Sequence, residues 1–153
     1  MKRFQLTEKQ VEELLHRAEV GRLGTIGEDG YPYVIAMHFV YHKGSIYMHG
    51  LPKGQKIDNI QKYPKVCFEV DELLGLQIDA DGKACNTEAV YNSAVIRGTA
   101  RILEEIESKR EVLGKLVEKY TPQFAGQELP ENMVKGTAVI EIRIDTSTGK
   151  YHS

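Results

Sequence analysis

Tyr31-Pro32-Tyr33-Val34-Ile35-Ala36-Met37-His38-Phe39-Val40-Tyr41 is the stretch on which the fold turns. It is rich in aromatic and β-branched residues and lies between Glu28-Asp29-Gly30 and Lys43-Gly44, so it reads as one long strand between two turns. Alternate side chains of a strand point to opposite faces. Tyr31, Tyr33, Ile35, Met37 and Phe39 share one face; Pro32, Val34, Ala36, His38 and Val40 share the other. Both faces are largely apolar, whereas a barrel interior covers only one. The second face has to meet a flat ligand, a second subunit or both. The plainer reading is a buried strand roofed by one of the chain's own helices.

Outward from this strand the pattern stays mainly β. Before it, Thr7-Glu8-Lys9-Gln10 has the form of a capping box, and Val11, Leu14, Leu15 and Ala18 predict a helix to Arg17, followed by a strand from Val20 to Ile26. After it come a strand at Ser45–His49, a short helix around Lys56–Gln61 stopped by Pro64, and a strand at Val66–Val70. Asp71 to Asn86 reads as a looser excursion. A long strand from Ala89 to Leu103 has one small, mostly apolar face and one polar face that includes Tyr91, Ser93, Val95 and Arg97. A helix over Glu107–Tyr120 with a Val112, Leu113, Leu116, Val117 and Tyr120 stripe leads to a last strand over Ala138–Ile144. The sum is a mainly β, α+β fold: a six-stranded antiparallel barrel with flanking helices, one domain over residues 1–153.

Composition narrows the function. A net charge of −2, with both signs mixed along the chain, argues against a nucleic-acid partner. No long apolar run suggests a membrane span or signal peptide. Cys67 and Cys85 have neither metal-type spacing nor a disulfide framework, which points to a reducing cytoplasm, with Cys67 expected as a small buried hydrophobe. His38 and His42 lie too far along the chain from His49 to suggest a metal centre, and Asp79, Asp81 and Glu88 lack a calcium-loop pattern.

One segment carries chemistry. In Met48-His49-Gly50-Leu51-Pro52-Lys53-Gly54-Gln55-Lys56 a strand breaks at glycine and proline and enters a helix, leaving backbone N–H groups aimed at one spot beside two lysines. Such a place suits a phosphate held by Lys53 and Lys56, with His49 facing whatever the phosphate belongs to. The spacing fits neither the phosphate loop of nucleotidases nor the dinucleotide fingerprint, and a solvated surface turn uses the same residues.

Read in succession, Gly21-Arg22-Leu23-Gly24-Thr25, Tyr31 to Met37, Ile46 to Gly50 with Gly54 to Ile60, Tyr63 to Phe68, and Tyr91 to Ala100 resemble the split-barrel flavin-binding superfamily that includes pyridoxamine-phosphate oxidase. The nearest branch is the nitroimidazole-resistance, or Nim-like, proteins. The resemblance implies a homodimer with FMN at the interface. Val34, Ile35, Ala36 and Met37 would lie along the ring and ribityl chain. His49 and Gly50 would sit by the ribityl phosphate, with Lys53, Gly54, Lys56 and Asn59 around the phosphate. Tyr91, Ser93 and Val95 would come from the same or the partner chain. The implied reaction is reduction of a small electrophile, for instance a nitroaromatic, with His49 as the candidate proton donor or, alternatively, a structural histidine. Cys85-Asn86-Thr87-Glu88 lacks the aromatic residue usual after that cysteine, so the substrate does not carry over with the cofactor. The alternatives are a non-catalytic flavin module, a haem protein ligated through His49 or His38, a protein for the deazaflavin F420, and a ligand-free interaction barrel.

Overall fold

In the computed structural model, which describes residues 4–153, alternation along the chain resolves into seven strands: β1 (Gly21–Ile26), β2 (Pro32–Met37), β3 (Val40–His42), β4 (Ser45–Gly50), β5 (Lys65–Gln77), β6 (Glu88–Ile102) and β7 (Ala138–His152). Helices α1 (Glu8–Arg17), α2 (Gln55–Lys62), α3 (Ile106–Tyr120) and α4 (Glu131–Gly136) flank them, with single 3-10 turns at Ala84–Asn86 and Pro122–Phe124. The capping box forms: the Gln10 amide donates to Thr7 Oγ1 at 3.2 Å and the Thr7 amide to Gln10 Oε1 at 2.8 Å. Among the described residues no helix is long and apolar enough to cross a membrane.

All strands pair antiparallel in one sheet of order β2-β1-β5-β6-β7-β4-β3. Its two edges, β2 and β3, are consecutive in the chain and joined only by His38-Phe39. Met37 and Val40 are therefore no more than about 11 Å apart, three Cα steps. A sheet whose edges meet this closely has to curl into a barrel with a seam between them.

That seam corrects the expectation of six strands and of one strand over Tyr31–Tyr41. The strand breaks at His38-Phe39, although Phe39 keeps to the inward face of Ile35 and Met37 and is fully buried, its ring edge-on to Phe68 at 4.9 Å. Its N–H donates to the Tyr120 hydroxyl oxygen at 2.9 Å rather than to a neighbouring strand. Lys119 Nζ donates to the Phe39 carbonyl at 3.0 Å. The end of α3 thus pins the seam from outside.

Two strands are also longer than the sequence predicts. β5 runs on through the expected excursion to Gln77, with Leu74 as an extra residue between Leu73↔Tyr91 and Gly75↔Val90. β7 continues to His152, with Asp145 extra between Ile144↔Gly98 and Thr146↔Arg97. Each bulge shifts the alternation by one and hides the strand from a period-two reading.

Inward side chains meet in rows across the register. Leu23, Phe68 and Ile96 form one row and Ile46, Ile142 and Ala100 another, with α1 and α2 adding Leu14, Leu15, Ile57 and Ile60. A second core lies outside the barrel, where Val112, Leu113 and Leu116 of α3 and Val134 of α4 pack on Val139 of β7. Cys67 belongs to neither core: it is exposed on the outward face of β5, correcting its expected burial.

Candidate functional site

The strand-to-helix turn after β4 folds as its glycines require. Gly54 sits at φ 137°, a conformation open to glycine and costly for other residues. It precedes α2 with no side chain capping the helix. The first backbone bond into the helix is from Asp58 N–H to Gly54 O at 3.1 Å, so the amides of Gln55, Lys56 and Ile57 have no helical carbonyl to bond. A Cβ on Gly50 would lie 3.1 Å from Lys56 Nζ. The missing side chain is what lets the lysine fold back over the end of β4.

His49 shares this place. Its ring is open to solvent on one side, yet partial burial depresses its pKa below the ordinary histidine value, and the nearby His38 and Lys56 depress it further. Among the described residues Lys53 and Lys56 form no ion pair, and Lys53 stands exposed on the bend. The opposite flank of α2 has the other sign: Glu28, Asp29 and Asp58 line it, and Lys62 is paired with Glu28 at 2.6 Å. An anion is therefore favoured on the β4 side of the helix end and repelled on the other.

The edge of β2 leads directly to His49. Tyr31 O accepts from Gly27 N–H at 2.9 Å. By the alternation of an antiparallel ladder, Tyr33, Ile35 and Met37 spend their backbone groups on β1, while those of Val34 and Ala36 face the open edge. The side chains of Ile35 and Met37 turn inward against the core. Val34 is 60% exposed, so no helix roofs β2; the plainer reading of the strand holds only past the break, where α3 covers Val40. His38 follows at once, stacked on Tyr120 with ring centroids 4.6 Å apart. Val34, Ala36, His38, His49, Gly50 and Lys56 form one band around the seam.

Other predicted residues lie outside it. Asn59 is 5% exposed and its amide donates to Thr25 Oγ1 at 2.9 Å, bracing α2 against β1 beneath the helix end. Val95 shares a transverse row with Ala36 through Arg22 and Glu69, three strand spacings or about 14 Å across the outer face. It is also seven positions from Ile102, the row that reaches Met48 through Ile140, hence about 23 Å along the strand from the His49 end. Ser93 and Tyr91 are further still. One chain alone does not bring Tyr91, Ser93 and Val95 to the band. Conversely, Tyr120 belongs beside His38, yet its place in the apolar stripe of α3 gave only a core signal. Among the described residues no three potential metal ligands gather.

The depressed pKa of His49 has a testable sign. The folded state binds the proton less readily than the unfolded chain, so stability is lost as pH falls through the window just below 6.5. His49→Gln should lose less thermal stability than the parent between pH 7 and 5.5, read as the shift in melting midpoint. Equal losses would place His49 in an unstrained, solvated setting.

Similarity to known proteins bears on the family and the fold. A family model described as pyridoxamine 5'-phosphate oxidase matches residues 7–151. No curated protein matches the sequence at a significant level. Among solved structures, a candidate 5-nitroimidazole antibiotic resistance protein of Bacteroides thetaiotaomicron is 26% identical, with TM-score 0.80 over 95% of this chain and 85% of that one. The flavocytochrome Anf3 of Azotobacter vinelandii is 21% identical, with TM-score 0.86 over 100% of this chain and 72% of that one. A FAD- and haem-binding protein of Mycobacterium smegmatis is 17% identical, with TM-score 0.87 over 97% and 73%. The last two likenesses bear on the fold alone.

Proposed function

Because the chain belongs to the pyridoxamine 5'-phosphate oxidase family, we propose that it is an FMN-dependent oxidoreductase, a homodimer that reduces a small electrophile such as a nitroaromatic. The observation that carries this reading is the band at the seam: Lys56 folded over Gly50, the uncapped start of α2 and His49, continuous with the unpaired edge of β2. FMN has the two matching parts, a phosphate close to doubly charged and a flat ring with hydrogen-bonding edges. Lys53, Lys56 and the amides of Gln55 to Ile57 would hold the phosphate. The open backbone groups of Val34 and Ala36 would hold the ring edge, and Ile35 and Met37 would back them from the core side.

Bound flavin would supply the hydride chemistry, while the chain supplies position, charge and access. Lys56 offsets phosphate charge and orients the ribityl chain toward His49. With its pKa depressed, His49 is largely neutral at pH 7, so it serves best as a hydrogen-bond donor that positions a ligand atom rather than as a charged acid.

The second copy has a surface to occupy. Ile26 and Val34 are exposed on the outer sheet face and line, with Cys67 and Arg97, a depression of about 640 Å3; Val95 is exposed on the same face. A partner lying across it would bring its own Tyr91, Ser93 and Val95 toward the β2 edge. Both cysteines are free, which suits a reducing cytoplasm. The test is turnover: the FMN-loaded protein should oxidise a reduced nicotinamide nucleotide only when a nitroaromatic acceptor is present. A flavin-loaded protein that consumes neither is a binding module and not an enzyme.

A further inference from the structure

A cavity of about 360 Å3 adjoins the seam band, between the end of β4, α3, α4 and the loop that joins the two helices. Its walls are mainly aliphatic, Leu113, Leu116 and Val117 from α3, Leu129 from the loop and Met133 from α4, and the hydroxyls of Thr121 and Thr137, which also line it, donate to the backbone carbonyls of Val117 and Met133. His38 and His49 both line it, and Tyr120 lines it while stacked on His38. The volume is at the low end for small-ligand sites, room for one ring with a short substituent and not for a dinucleotide or a macrocycle. Aliphatic walls with few polar groups fix what enters: an apolar body, oriented by the imidazoles. The ammonium of Lys56, close to His49 across Gly50, disfavours a cation and favours an oxygen acceptor at that end.

We propose that this cavity is the substrate pocket, taking a single aromatic ring that carries a nitro or carbonyl oxygen, with the ring between α3 and α4 and the oxygen hydrogen-bonded by His38 or His49. Specificity then resides in Leu116, Leu129 and Met133, which set the length and width of the ring admitted. The proposal rests on the flavin reading for what is done to the ligand, but not for its capture, which this chain's own residues carry out beside the open edge of β2.

The experiment is a methyl-detected NMR titration of the protein, flavin-free and FMN-loaded, with nitrobenzene, acetophenone and toluene as probes. Nitrobenzene and acetophenone should shift the methyls of Leu116, Leu129 and Met133 saturably. Toluene, which has the same body but no acceptor, should bind about fivefold more weakly, the worth of one net hydrogen bond. His38→Ala combined with His49→Ala should bring nitrobenzene close to toluene while leaving toluene unchanged. Met133 is 40% exposed, so Met133→Trp can fill the mouth without disturbing the core and should weaken every probe by at least about tenfold at an unchanged melting midpoint. Shifts confined to the outer sheet face, equal binding of toluene and nitrobenzene, or unaltered binding by Met133→Trp would each overturn the proposal. Saturable shifts in a protein that takes up no FMN would retain the pocket and remove the flavin reading; FMN uptake without these shifts would do the reverse.

Discussion

Phe39→Ala is expected to destabilise the fold by about 3–5 kcal/mol, the cost of emptying a fully buried phenylalanine site. The ring is 0% exposed and fills the corner at which β2 gives way to β3. Its neighbours cannot collapse into the space freely. Phe68, 4.9 Å away, is held in the central row of the sheet, and the backbone at Phe39 is tied to Tyr120 and Lys119. Lys119 Nζ also lies 3.9 Å from the ring centroid and would lose that face. A loss of this size approaches the whole stability of a small domain. Urea unfolding should show a much lower midpoint for Phe39→Ala, whereas Phe39→Leu, which keeps most of the volume, should cost less than half as much. A parental midpoint in Phe39→Ala would mean that the seam is not plugged as described.

Lys56→Ala is expected to weaken FMN binding by about 1–3 kcal/mol, the worth of one charge-assisted hydrogen bond to a phosphate. Lys56 is the cation that Gly50 makes room for, and no acidic partner among the described residues already offsets its charge. Two controls isolate the phosphate. Riboflavin, which has none, should bind the parent and Lys56→Ala alike. Lys62→Ala removes a lysine of the same helix, but one paired with Glu28 on the acidic flank, and should leave FMN affinity unchanged. Added salt should narrow the difference between the parent and Lys56→Ala, because screening weakens an exposed charge contact. Unchanged FMN affinity in Lys56→Ala, measured by fluorescence quenching, would take Lys56 out of the site.

What could be read from sequence follows the range of the interactions. The Thr7 capping box and the turn into α2 are settled within a few residues, and both formed as read. His49, Gly50 and Lys56 span eight positions, so a strand end followed by a helix start was enough to place them together. The break at His38-Phe39 was hidden because the in-out alternation continues through both residues; only Tyr120 and Lys119, far along the chain, take the Phe39 backbone groups away from the sheet. The full lengths of β5 and β7 were hidden by single extra residues, Leu74 and Asp145, which invert the pattern beyond them. Cys67, between Val66 and Phe68, looked buried, yet period two puts it on the opposite face from both, and that face has no cover within one chain. Asn59 carried a polar side chain in the right segment, but helical geometry turned it beneath α2 toward Thr25.

The most direct test of the flavin site is an absorbance spectrum of the purified protein, repeated on the supernatant after heating and on the flavin-free protein supplied with FMN or with riboflavin. The expected result is a two-band flavin spectrum that heating releases, and that FMN restores at concentrations where riboflavin does not. A Soret band in its place, or a colourless protein that takes up no FMN, would contradict it.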